Sequence, residues 1–217
     1  MKNIVIFCSG NGSNFISIYK ATKDKQINGK IVLLVSDKKK CGAVSFAIEN
    51  RIDVHVERVD DVRTLAIDGQ NLLDILIQHR ADLLLLAGYL KLIPINVVDY
   101  FKNRMLNIHP SLLPKFGGKG FYGKRVHKAV IESNETQSGI TIHFVNEKYD
   151  DGSILFQKKI SIKGQRNALD LSKMILKIEH HYFPKVIALF CLDKIKWKSN
   201  KPELIQEKDF EYEVCNN

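Results

Sequence analysis

Long apolar runs are missing from this chain. Nowhere in its 217 residues does a stretch approach the roughly 18 consecutive apolar residues of a membrane span. The run that follows Met1-Lys2-Asn3 lasts only about five residues, too short for a signal-peptide core. These absences predict a cytoplasmic protein with no membrane partner. Cysteine is also scarce: Cys8, Cys41, Cys191 and Cys215 are scattered with no Cys-x-x-Cys spacing, which argues against a zinc ribbon or redox pair and fits reduced thiols. Acidic residues are in deficit, 24 against 33 Lys and Arg for a net charge of +9, which favours anionic partners. No aromatic-interleaved basic run accompanies that charge, so a nucleic-acid partner is not expected. Internal repeats are absent too.

What is present is ordinary apolar content, 45%, enough for a chain of this length to bury a core without staples. Apolar runs alternate with helical periodicity through the first half. Strands are expected at 3–8, 30–36, 53–56, 82–87 and 105–108, with helices at 13–23, 42–50 and 65–79 between them. Continuously apolar strands imply burial on both faces, as in a parallel sheet sandwiched by helices. The fold class read from this is α/β, a doubly wound, mostly parallel sheet. Beyond Pro114 a glycine-rich loop, 117–123, precedes a helix at 126–133. Two strands at 138–145 and 154–162 then suggest an antiparallel extension. A long C-terminal helix is expected over 168–192, burying Leu171, Ile175, Ile178, Tyr182 and Val186 and kinked at Pro184. The polar tail from Lys198 is expected to be loosely packed.

Two short segments carry candidate chemistry. Ser9-Gly10-Asn11-Gly12-Ser13-Asn14 leads from the first strand into a helix, a setting in which backbone N–H groups and the helix dipole suit a phosphate. The residues fit a helix start capped by Ser13 or Asn14 equally well. The spacing does not continue as Gly-x-Gly-x-x-Gly, and no Walker-type lysine follows. In Asn107-Ile108-His109-Pro110, strand alternation puts Asn107 and His109 on one face, and Pro110 sets them at the strand's end beside a cleft. Such a pair can bind an oxygen that gains negative charge. A histidine in this place also fits a purely structural role.

These segments, together with Leu86–Ile93, Gly139–Val145, Asp150 with Gly152, and Glu179-His180 followed by Tyr182 and Pro184, resemble the phosphoribosylglycinamide formyltransferases in order over residues 1–192. The resemblance implies one formyltransferase domain over 1–192, split into a phosphate-binding half (1–110) and a folate and catalytic half (111–192), with a short strand and polar tail over 193–217. It implies transfer of a formyl group from the co-substrate 10-formyltetrahydrofolate to the glycine amine of phosphoribosylglycinamide. Asn107, His109 and Asp150 match the catalytic set, with Asp150 keeping His109 charged and moving a proton. Gly12, Ser13, Asn14, Phe15 and Glu179 match the binding site for phosphoribosylglycinamide. Leu90, Lys91, Leu92, Ile93, Asn107 and Arg63 match the folate site.

The chain departs from the family's pattern in three places. Lys91 stands where arginine is common, Asp151 adds a carboxylate beside Asp150, and Lys115–Lys124 forms a longer glycine-rich segment expected to act as a mobile flap carrying Lys119 and Lys124. No metal is expected, since the histidines and carboxylates lack ligand spacing. A monomer or weak homodimer is expected. Alternative readings are a formyltetrahydrofolate hydrolase, another formyltransferase of the same fold, or a non-catalytic nucleotide-binding module. A transfer-RNA formylating relative would carry a further C-terminal domain of about a hundred residues, and a hydrolase an N-terminal regulatory domain.

Overall fold

Each buried strand of the sheet divides its apolar side chains between two cores. In the computed structural model, which describes residues 1–57, 65–165 and 167–205, β1 (Lys2–Phe7) sends Ile4 and Ile6 to one core and Val5 and Phe7 to the other. Strands β2 (Gly29–Ser36), β4 (Leu83–Leu86) and β5 (Met105–His109) alternate likewise. Period-two alternation with apolar residues at every position requires helices on both sides. One face is covered by α1 (Ser13–Lys23), α2 (Gly42–Glu49), α5 (Lys124–Glu132) and α6 (Ala168–Cys191), the other by α3 (Leu65–Gln78) and α4 (Ile95–Tyr100).

With β3 (Asp53–Val56), β6 (Gln137–Phe144) and β7 (Ile154–Ser161), the seven strands run in the order β3-β2-β1-β4-β5-β6-β7. The first five are parallel, and β6 and β7 each run antiparallel to their neighbour. The chain reverses its direction of winding between β1 and β4. In open α/β sheets the crevice outside the carboxyl ends of the strands at such a point is where ligands bind.

Three expectations from the sequence need correction. Helix α4 was not expected, because Ile95, Val97 and Val98 are β-branched; it forms because Val97, Val98 and the following Phe101 are buried, so packing outweighs propensity. The C-terminal segment is not simply a polar tail. β8 (Ile195–Lys198) pairs with β9 (Lys201–Leu204) around Ser199 and Asn200, both left-handed as a tight two-residue hairpin requires. Trp197 of this hairpin packs on Phe144, ring centroids 4.9 Å apart. Third, the buried stripe of α6 runs through Leu171, Ile175, Glu179, Tyr182 and Val186, so Glu179 takes the place expected for Ile178. Among the described residues, no helix is long and apolar enough to cross a membrane.

The link from β6 to β7 sets the shape of the sheet's functional end. Register slips by one residue between Ile142 and His143, a bulge that redirects the chain as it enters the loop. Within that loop Asp150 is left-handed (φ 53°), and Gly152 lies so close to the Phe144 carbonyl that a Cβ there would overlap it. Gly152→Ala should therefore destabilise the fold by about 1–3 kcal/mol, as overpacking does. The thermal midpoint should fall by roughly 2–4 °C per kcal/mol at this chain length. An unchanged midpoint would show that the loop has room to give.

Candidate active site

Strand β5 ends at His109, immediately before Pro110, and its alternation brings Asn107 and His109 to one face. Antiparallel pairing then sets His143 of β6 directly opposite Asn107, and Thr141 opposite His109. The β6–β7 loop returns Asp150 to this group. Its Oδ1 accepts from Asn107 Nδ2 at 3.2 Å and lies 3.6 Å from His143 Nε2. Its Oδ2 accepts from the Gly118 N–H at 3.0 Å and lies 3.4 Å from His109 Nδ1. The residues expected to form a catalytic set thus come together, with two additional partners.

Burial opposes the charge on Asp150. The adjacent His109 ring with its charge and the Gly118 N–H outweigh that cost and hold its carboxyl well below the usual range. Asp150 is therefore ionised at neutral pH. His109 is 3% exposed, and its Nε2–H donates to the Phe116 carbonyl at 2.8 Å. Both its ring nitrogens face acceptors, a setting that suits the doubly protonated ring. Asn107 is equally engaged, since its amide also donates to His143 Nε2 at 3.0 Å. All of these donors are satisfied within the protein.

Two clefts meet at Asn107 and Asp150. The larger, about 370 Å³, is bounded by Tyr89 and Leu90 after β4, by His109 and Pro110, and by the loop Gly118–Gly123. The smaller, about 40 Å³, lies among Lys91, Leu92, Ile93, Val145 and Tyr149. Tyr149 closes it by bonding to the Leu92 backbone. Residues 90–93 were expected to form one folate pocket, yet Leu90 faces the larger cleft and the other three the smaller. Of the two lysines that the flap was expected to carry toward ligand, Lys119 lines the larger cleft and Lys124 begins α5. Arg63 lies outside the described residues.

Gly12 is left-handed (φ 74°) and caps α1 through its backbone, with no side-chain cap, so neither Ser13 nor Asn14 plays the capping role. The first N–H groups of a helix have no intrahelical acceptor, and without a side-chain cap on α1 they suit an anion. Phe15 can meet a ligand at this loop only through its backbone. It is fully buried and stacks edge-on against Phe46 at 5.2 Å, so its side chain belongs to the core. Asn14 Nδ2 donates to Glu179 Oε2 at 2.8 Å, and Asn14 Oδ1 is buried without a partner among the described residues. Burial pushes the Glu179 carboxyl up to about 7, against the opposing pull of the Asn14 bond and the His109 charge. Neither residue lines either cleft as the structure stands.

Sequence reading gave no role to His143, Tyr149 or His127, and named Ser9 only as the first residue of the candidate phosphate loop. Ser9 is buried and locks the β1 and β4 ends together: its N–H donates to Gly88 O, and its Oγ accepts from the Leu90 N–H. His127 on α5 is buried near His109; burial and then the His109 charge push it down to about 4, and its Nδ1 has no partner among the described residues. Among the described residues, no cluster of His, Cys, Asp and Glu is arranged to hold a metal.

Residues 2–187 match the family described as formyl transferase. The chloroplastic phosphoribosylglycinamide formyltransferase of Arabidopsis thaliana is 45% identical over 208 residues, covering 95% of this chain and 71% of that one. The chain belongs to the phosphoribosylglycinamide formyltransferases. The Bacillus subtilis member is 33% identical over 187 residues, covering 86% of this chain and 93% of its own. The crystal structure of glycinamide ribonucleotide transformylase 1 from Symbiobacterium toebii superposes with a TM-score of 0.85 at 28% identity, covering 95% of both chains. The fold expected from the sequence is the fold of these formyltransferases.

Glu179 gives the site a pH signature. Its folded-state value, about 7, lies above the ordinary 4.5, so the folded protein retains a proton that the unfolded chain releases. The stabilisation linked to that proton is complete below about pH 4.5 and lost as pH rises through about 7. Between about pH 5 and about pH 8, wild type should lose stability relative to Glu179→Gln, measured by denaturant midpoints. Parallel pH profiles for the two proteins would contradict the raised value.

Proposed function

We propose that the chain transfers the formyl group of 10-formyltetrahydrofolate to the glycine amine of phosphoribosylglycinamide, with Asn107, His109 and Asp150 as its catalytic residues. The observation that carries this reading is the convergence of the three side chains between two clefts, one on each side of the point where donor and acceptor must meet. Formyl transfer is the reaction of the family. Attack of an amine on a formyl carbon places negative charge on the formyl oxygen, and a positioned donor is worth about 3 kcal/mol to such an oxygen in a water-excluded site.

In this reading each donor exchanges one internal partner for the reacting oxygen. His109 Nε2–H leaves the Phe116 carbonyl. Asn107 releases the longer of its two bonds, the one to Asp150. Asp150 stays ionised: a carboxyl held so low stores a proton poorly, so it stabilises charged His109 and passes the amine's proton onward through water. Glu179 receives the substrate amine once its bond to Asn14 opens, and a carboxyl near 7 is matched to taking the proton of an entering ammonium group. Gly12, Ser13 and the N–H group of Phe15 cradle the phosphate at the start of α1.

The walls of the smaller cleft suit a flat ring with a hydrogen-bonding edge: Leu92, Ile93 and Val145 are apolar, and backbone groups lie at the rim. At about 40 Å³ the cleft admits a bicyclic folate ring only as the Tyr149 loop moves outward. Lys91, a point charge without a planar fork, fits the folate's carboxylate end less specifically than arginine would. The catalytic set lies within one chain, which suits a monomer or weak homodimer. The free thiols Cys8, Cys41 and Cys191 suit a reducing compartment, the cytoplasm in this reading.

Incubation with phosphoribosylglycinamide and 10-formyltetrahydrofolate, followed by absorbance of the deformylated folate, tests the proposal. Wild type should turn over, His109→Ala should lose about 10²–10³ in kcat, and Asp150→Asn should lose activity that Asp151→Asn keeps. No turnover by wild type, or full turnover by His109→Ala, would overturn it.

A further inference from the structure

His143 lies 2% exposed behind Asn107 and is absent from the proposed catalytic set, yet its bonds decide how Asn107 can act. Its Nδ1 is 2.7 Å from the Phe144 carbonyl. A carbonyl accepts and cannot donate, so Nδ1 carries a proton. In the neutral ring Nε2 is then a bare acceptor, and it faces Asn107 Nδ2 at 3.0 Å. The tautomer of one side chain and the amide orientation of the other fix each other. A proton on Nε2 would drive the amide to turn over, bringing Asn107 Oδ1 against the charged Asp150 Oδ1, which now receives Nδ2–H at 3.2 Å.

Asn107 Nδ2 has two hydrogens, one on His143 and one on Asp150. When the second leaves Asp150 for a reacting oxygen, the bond to His143 is the contact that still holds the amide plane. We propose that His143 is a positioning residue that acts through Asn107: its bare Nε2 anchors one amide hydrogen so that the other stays aimed where charge develops. This rests on the formyl-transfer reading of the site above. The anchor matters most when the second hydrogen is moving, so it is felt in kcat rather than in KM.

The test uses the full-length enzyme with two variants. His143→Leu removes the acceptor at similar volume, and His143→Gln returns an acceptor oxygen near the position of Nε2. His143→Leu should lower kcat by about tenfold to a hundredfold with both KM values within about twofold, and His143→Gln should recover most of the loss. In an Asn107→Ala background, His143→Leu should cost almost nothing further, because the group it positions is gone. Nitrogen-15 correlation spectra of wild type should show the His143 proton on Nδ1 and Nε2 bare. A proton on Nε2, equal weakness of the Leu and Gln variants, or multiplying losses in the double variant would each overturn the proposal. The spectrum and the Gln variant decide the matter even where the Leu variant fails to fold. Absence of turnover in wild type would count against the formyl-transfer reading, whereas the tautomer reports on His143 itself.

Discussion

The carboxylate of Asp150 is the group around which the proposed catalytic site of this molecule is arranged. Its oxygens face Asn107 and His143 on one side and His109 and the Gly118 N–H on the other. These groups come from three segments, two neighbouring strands and the glycine-rich loop. A charge taken out of water costs several kcal/mol unless polar partners replace the water. Here those partners include the groups to which the proposed reaction assigns the chemistry. The interaction that makes a buried charge tolerable therefore also gathers the proposed catalytic residues, and Asp150 reaches it in a left-handed conformation two residues before a glycine that the Phe144 carbonyl leaves no room to replace.

The sheet supplies the fixed points. Parallel strands buried on both faces place the ends of β1, β4 and β5 along one edge, and the Ser9 bonds to Gly88 and Leu90 tie the first two ends together. The antiparallel turn to β6 then brings His143 opposite Asn107 without any long connection. On this rigid edge every donor is already partnered inside the protein, with the Phe116 carbonyl holding His109. In the proposed reaction, engagement of substrate is accordingly an exchange of hydrogen bonds, so the donors are oriented in advance and little reorganisation is left for the reaction itself.

Much of this was legible in the sequence, and the failures have physical causes. Continuous apolar strands revealed the doubly wound sheet, and two-residue alternation with Pro110 placed Asn107 and His109 on one face. His143 escaped notice because its importance depends on the β5–β6 register, which no local pattern discloses. Helix α4 was hidden by β-branched residues whose burial overrides their propensity. Glu179 sits in the buried stripe of α6, where helical periodicity alone favoured the neighbouring Ile178 because an acid in that stripe costs solvation. Phe15 was matched to the ligand loop through the resemblance, which does not disclose that helix geometry turns its side chain into the core. Asp150 has the look of an ordinary turn aspartate, and only the resemblance to a family marked it.

The central claim is that His109 and Asn107 trade internal partners for the formyl oxygen. A crystal structure with phosphoribosylglycinamide and a folate analogue bearing a non-transferable carbonyl tests it most directly. The account predicts His109 Nε2 within about 3 Å of that carbonyl oxygen and parted from Phe116 O, with Asn107 still held by His143. A complex in which His109 keeps the Phe116 carbonyl while the analogue's oxygen rests on other donors would contradict it.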